Sequence, residues 1–292
     1  MTLDRGQRED WFSSGLITTT AVVSGLSLIM LVVWELNRKD PIVDLRLLAN
    51  RNFGITSLFM LTAGLILFGS TQLIPQMLQE VLGYTATDAG LALTTGGIAT
   101  VIVMPFVGML TGKVDTRLLL FPALIIQALA LWNLSHFNSG ISFGDAAQGR
   151  LFQALGLPFM FVPINAAAYV GLRPDQTNKA SALLNVARNL GGTFGISTAQ
   201  TMLQVRQQVH QSQLVEGLNP LNPSYTEGLG TYGSALAGAT PDQNAGMAAI
   251  YQQVQQQASM LSYIDVFHAF MVFVIIIAPL ALLLRPGKGG AH

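Results

Sequence analysis

Seven apolar runs, each close to the ~20 residues a helix needs to cross a bilayer core, punctuate this chain of 292 residues. They lie at about 15–34, 53–74, 89–110, 118–134, 147–170, 180–202 and 266–284. Hydrocarbon offers no water to exposed backbone N–H and C=O groups, so a spanning segment must be a helix or part of a closed barrel. Barrel strands alternate polar and apolar residues over about 10 positions, whereas these runs are continuous, which selects helices. Charged residues make up only 10% of the chain, against roughly 25% in soluble domains. The expected fold is an all-α integral membrane protein with seven transmembrane helices.

The opening MTLDRGQREDWFSSG places charge before the first run, as a signal peptide does. Here, however, Arg5 and Arg8 are outweighed by Asp4, Glu9 and Asp10, where a signal needs a basic start. If the segment after the first helix is cytoplasmic, Arg38, Lys39, Arg46, Arg51, Lys113, Arg117, Arg173, Lys179, Arg285 and Lys288 share that side. Only Arg5, Arg8 and Arg206 fall on the other. The positive-inside rule then predicts an external amino terminus and a cytoplasmic carboxyl terminus.

Several function classes are excluded. The formal net charge is zero, so nothing draws the chain to nucleic acid, and without cysteine it can form neither disulfides nor thiolate metal sites. His136, His210, His268 and His292 lack ligand spacing, so no metal is expected. P-loop, GxSxG and HExxH motifs are missing, which argues against an enzyme and against a cofactor. The one long hydrophilic insertion, at about 203–262, continues the sixth helix, passes through the loop-like NPLNPSYTEGLGTYGSALAG, and restarts as a helix at Thr240–Pro241 with Gln243 completing a capping box. An external helical hairpin is expected there.

Polar groups inside a membrane are costly, so those present are informative. Asn185, Arg188, Asn189 and Gly192 share a face of the sixth helix. Arg188 lies too deep to snorkel and either lines a cavity or clamps neighbouring helices. On the fifth helix Arg150, Gln153 and Gly156 align, Pro158 and Pro163 are expected to break the backbone ladder, and Asn165 is a deep amide. Gln72, with Gln76 and Gln79 nearer the interface, marks the second helix. The cavity candidates are therefore Gln72, Gln153, Asn165, Asn185, Arg188 and Asn189. The small pairs Gly108/Gly112 and Gly191/Gly195 have the spacing that lets helices approach closely. No carboxylate falls near a bilayer midplane; Asp265, with His268 one turn on, is the nearest, and reads as an interfacial pair before a proton relay.

Several stretches carry a family resemblance: LDRGQREDWFSS, DPIVDLRLLANRNF, IPQMLQEVLGYTATDAGLAL, NVARNLGGTFG, NPLNP and the closing GGAH. Together they resemble the fourteen-helix drug:proton antiporters of the major facilitator superfamily, from helix eight onward. Residues 1–50 are then an external stub, a linker helix and a cytoplasmic loop, and 51–292 the C-terminal six-helix bundle. GMLTGKVDTR is similar to the second copy of the family's G-x-L-x-D-R-x-G-R loop motif. Gly108, Leu110, Lys113 and Arg117 match, while Gly112 stands where the acid would be and Asp115 where the second glycine would be. Arg150, Gln153 and Gly156 resemble the R-x-x-Q-G-type motif.

The resemblance implies proton-driven efflux of hydrophobic drugs across a bacterial inner membrane, with a periplasmic membrane-fusion adaptor and an outer-membrane channel as partners. It also implies that Met1 is internal and that an N-terminal half, holding the proton-coupling acids, precedes it. A carrier of another solute, such as a siderophore or fatty acid, and a non-transporting subunit that pairs with a separately encoded first half remain open alternatives.

Overall fold

The computed structural model describes residues 15–38, 41, 44–216, 218 and 243–284. The opening stub, the NPLNP stretch, the expected cap at Thr240–Pro241 and the closing GGAH lie outside them. The described residues form seven α-helices and no strand: α1 (Gly15–Asn37), α2 (Arg51–Glu80), α3 (Ala86–Thr111), α4 (Thr116–Leu134), α5 (Phe143–Ala168), α6 (Thr177–Glu216) and α7 (Gln243–Ile277), the last continued by a 3-10 turn at Ala278–Leu283. All except α6 are long and apolar enough to cross a membrane. The polar NVARN turn and the glutamine-rich end lower α6 below that mark, yet it packs closely along α2 from Leu61 to Gln76. Its run to Glu216 and the start of α7 at Gln243 give helical arms on both sides of the insertion.

Local chemistry sets the helix ends. Asn50 caps α2, its side chain accepting from the Asn52 N–H at 3.0 Å. Thr85 with Asp88 and Ser142 with Asp145 form reciprocal capping boxes at the starts of α3 and α5, each worth about 1 kcal/mol. Gly83 turns the chain between α2 and α3 at φ 70°, a backbone conformation that costs glycine little.

Pro158 and Pro163 each remove a ladder hydrogen bond, yet α5 runs continuously from Phe143 to Ala168. Pro158 cannot donate to the Ala154 carbonyl, and the Thr100 hydroxyl on α3 lies 3.4 Å from that oxygen while also bonding Gly96 in its own helix. A neighbouring hydroxyl thus partly supplies what proline removes, as bundle helices allow.

α2 is the hub, in contact with α3, α5, α6 and α7. Its crossing with α6 runs parallel: Leu61, Leu65 and Gln76 meet Gly191, Gly195 and Gln200 in order. A Cβ on Gly191 or Gly195 would strike the carbonyl oxygens of Leu61 and Leu65, and one on Gly64 that of Arg188. These obstacles are backbone, so no rotamer change relieves them. Asn52 ties α2 to the end of α5 by a buried 2.7 Å hydrogen bond to the Ala167 carbonyl. From this hub a single apolar core extends through Phe59, Ile66, Met77, Leu124, Met160, Phe267 and Val274.

Two helices leave apolar surface uncovered. α1 buries only Ile17 and Glu35, and α3 exposes Val101, Ile102, Phe106 and Met109. Surface of this extent has to be met by lipid or by another protein.

The two glycine pairs differ in environment. Nothing lies within 4 Å of a Cβ built on Gly108. Gly191→Ala is therefore expected to cost about 3 kcal/mol through overpacking, whereas Gly108→Ala should be neutral or gain up to about 1 kcal/mol in helix propensity. Thermal unfolding of both variants in detergent, followed by tryptophan fluorescence, checks the opposite signs.

Candidate functional site

Residues of α2, α3, α5 and α6 line a cavity of about 470 Å³, to which α2 contributes only Leu67. Arg150, Arg188, Asn165 and Thr100 give its polar groups, interleaved along α3 and α5 with the apolar Leu93, Met104, Leu157 and Phe161, to which Leu67 adds. Gly96 and Gly97 complete it. Gly96 also makes room for Arg150, since a Cβ there would come within 3.1 Å of that arginine's Cγ and Nε.

Arg150 is 7% exposed. It donates through Nη1 to Gln153 Oε1 at 2.5 Å and through Nη2 to Thr71 Oγ1 on α2 at 3.2 Å. Arg188 donates through Nη2 to Asn185 Oδ1 at 2.9 Å. Neither Nε has a hydrogen-bond partner. Both guanidinium groups are thus bonded only to neutral acceptors, and no acid lies among the lining residues. A charged arginine at a helix centre costs about 2.5–3.5 kcal/mol to insert into a membrane, and hydrogen bonds to neutral groups offset only part of that.

The other predicted residues take varied positions. Gln153 is fully buried behind Arg150, with its own Nε2 unpartnered. Asn165 lines the cavity and donates to the Phe161 carbonyl one turn back at 2.7 Å. Gln72 and Asn189 are exposed and do not line it, and Gly192 faces the Phe68 ring on α2. Gly156 sits where a Cβ would lie 2.7 Å from Gln127 Oε1. In the loop motif Asp115 caps α4 by accepting from the Arg117 N–H at 3.1 Å, Gly112 caps the end of α3, and Lys113 is exposed.

Asp265 has partners other than the neighbour that spacing suggested. His210 lies 2.8 Å away and Arg206 3.5 Å away, both on α6, while His268 is exposed. Gln207 to Ser259 at 2.8 Å and Gln211 to Tyr251 at 3.3 Å continue this α6–α7 seam. The Arg206–Asp265 pair is partly solvated, so its share of stability is about 1 kcal/mol at most.

Sequence reasoning passed over three groups. Gln127 is fully buried with neither amide atom partnered. Asn52 makes the α2–α5 tie already described. Glu80 accepts from Tyr263 at 3.2 Å and from Gln76, which itself accepts from Gln200 at 2.7 Å. A single amide inside ALIIQALAL was a readable signal for Gln127; the Glu80 chain joins α2, α6 and α7 and has no local signature.

Residues 6–196 match the family model described as Major Facilitator Superfamily. The chain belongs to the major facilitator superfamily. It is 37% identical over 303 residues to the multidrug export protein EmrB of Escherichia coli, an alignment spanning 99% of this chain and 57% of that protein. To EmrB of Haemophilus influenzae it is 39% identical over 222 residues, 76% of this chain and 44% of the relative. To the fatty acid resistance protein FarB of Neisseria gonorrhoeae it is 30% identical over 295 residues, covering the full chain and 57% of the relative. The chain thus spans about half the length of these relatives.

Gln153→Leu should strip Arg150 of its shortest hydrogen bond at nearly constant volume. The expected cost is about 2 kcal/mol, the range for a bond to a charged group, and Thr71→Val should cost roughly half as much because its bond is longer. Melting temperatures of the two variants in one detergent test the order.

Proposed function

We propose that this chain forms the C-terminal bundle, with one linker helix, of an inner-membrane multidrug exporter that exchanges hydrophobic compounds for protons. The observation that carries the reading is the cavity between α2, α3, α5 and α6: a largely apolar chamber with a few placed polar groups, in a chain of transporter lineage, is what a site for hydrophobic solutes requires. Residues 1–50 serve as stub, linker helix and loop and 51–292 as the bundle, with the amino terminus external and the carboxyl terminus cytoplasmic. The exposed apolar flank of α3 would meet a second bundle, because alternating access needs two units rocking about a shared site.

In proteoliposomes under a proton gradient, the 292-residue chain alone is expected to show no dye efflux. An in-frame fusion to the part of the Escherichia coli relative that it does not span should restore efflux. Efflux by the chain alone would reject the half-transporter reading.

The α6 and α7 arms about the 203–262 insertion are our candidate contact for a periplasmic adaptor, which would pass substrate to an outer-membrane channel. Deleting that insertion from the exporter should abolish co-purification of the adaptor while membrane insertion persists; retained co-purification rejects the contact.

A further inference from the structure

We propose that the carboxyl end of α1 binds one anionic phospholipid, with Arg38 on its phosphate and the flank below on its glycerol and acyl portions. The inference needs α1 only to span a bilayer, so it stands apart from the transport reading.

Met30, Val33, Trp34, Asn37 and Arg38 recur at helical spacing, so they share one flank of α1. They line an open groove of about 410 Å³. Met30 is 74% exposed and Trp34 63%, which leaves the groove open to lipid. Along this flank the chemistry changes in the order that a phospholipid's does. Met30 and Val33 are apolar, Trp34 brings an aromatic ring, and Asn37 and Arg38 bring an amide and a guanidinium. The helix rises about 12 Å from Met30 to Arg38, enough to run from acyl chains through an interfacial layer of roughly 5–8 Å. Indole rings settle at that interface. The Arg38 guanidinium carbon lies 5.8 Å from the centre of the Trp34 ring, which holds the cation at the top of the groove.

Charge selects the head group. Arg46 donates through Nη2 to the Leu36 carbonyl at 2.7 Å, an acceptor that the last helical turn leaves open, and so brings a second cation to the same end. Among the described residues no carboxylate forms an ion pair with Arg38 or Arg46. Glu35, the acid of that turn, is buried at 9% exposure, and Asp44 accepts from the Arg46 backbone N–H at 3.2 Å. Two exposed and unbalanced cations attract an anionic head group. A zwitterionic lipid would bring its own cation beside them and gain less. Free phosphate would suit the arginines but leave the apolar flank unused, whereas a phospholipid engages both.

Trp34 can report on its own neighbour. With Trp11→Phe and Trp132→Phe it is the remaining tryptophan of the 292-residue chain. That chain is reconstituted in mixed phosphatidylglycerol and phosphatidylcholine bilayers with one lipid brominated at a time. Bromine quenches indole fluorescence at close contact, so swapping the label measures the relative affinity of the two lipids beside Trp34. Phosphatidylglycerol should be favoured about fivefold, and Arg38→Gln should reduce the preference below about twofold. Trp132 as the reporter, with Trp11 and Trp34 replaced by phenylalanine, should show no preference.

Equal quenching by the two lipids at Trp34 overturns the proposal. So does a preference that survives Arg38→Gln, which would mark diffuse attraction to a basic surface. Loss of the preference in excess inorganic phosphate, but not in chloride of equal ionic strength, would assign the arginines to free phosphate and also reject the lipid site. The first comparison needs no charge substitution, so misfolding of Arg38→Gln cannot mask it.

Discussion

The parallel crossing of α2 and α6 depends on three missing side chains. Gly64, Gly191 and Gly195 let each helix press its backbone against the other's carbonyl groups. In lipid no hydrophobic force draws apolar helices together, so close van der Waals contact has to provide the association. Arg188 takes its place at the chamber from this contact. Gly64 packs against the Arg188 backbone itself, and the same helix carries Thr71, which reaches Arg150 on α5. A bulkier crossing would separate the two arginines from the wall they share.

From that hub the bundle settles its remaining polar groups pairwise across helices. Asn52 closes onto the Ala167 carbonyl, Thr100 lies against the carbonyl that Pro158 leaves open, and Glu80 gathers Tyr263 and Gln76. Each such bond contributes only about 0.6–2 kcal/mol in a membrane. Their greater effect is on register, because an unpaired partner in hydrocarbon is costly. Exceptions remain: Gln127, Gln153 Nε2 and the Nε groups of Arg150 and Arg188, with Glu35, Ser57 and Arg117 elsewhere. Arg150 and Gln153 lie on α5 and Gln127 against its Gly156, so much of the unmet polar capacity lies around that helix.

Much of the fold was legible in the sequence because one constraint, spanning length in apolar residues, governs every helix. The seven helices lie where the runs predicted, and the glutamine-rich extension of α6 was readable from its composition. Features that depend on a distant partner were not. The missing donor of Pro158 is a local fact, while the Thr100 hydroxyl that approaches the freed carbonyl lies 58 positions earlier. Spacing joined Asp265 to His268, but α7 turns Asp265 toward α6, where His210 and Arg206 wait. Of the residues chosen for depth and polarity, Arg150, Arg188 and Asn165 meet at one chamber, while Gln72 and Asn189 point elsewhere. Periodicity gives a face, and only packing says what that face looks upon.

The distribution of packing also divides the molecule into a closed side and an open one. α2, α4, α5 and α7 bury their apolar residues in one core, whereas α1 and the outer face of α3 bury almost none. The chamber lies between these regimes, lined mainly by α5 and by the inner face of α3, which packs on α5 while the outer face of α3 stays bare. α3 thus joins both regimes, gripping α5 through Gly96 and Thr100 inside and presenting Val101, Phe106 and Met109 outside. The chamber's arginines are fixed on the gripped side, Arg150 by Gln153 and Thr71 and Arg188 by Asn185.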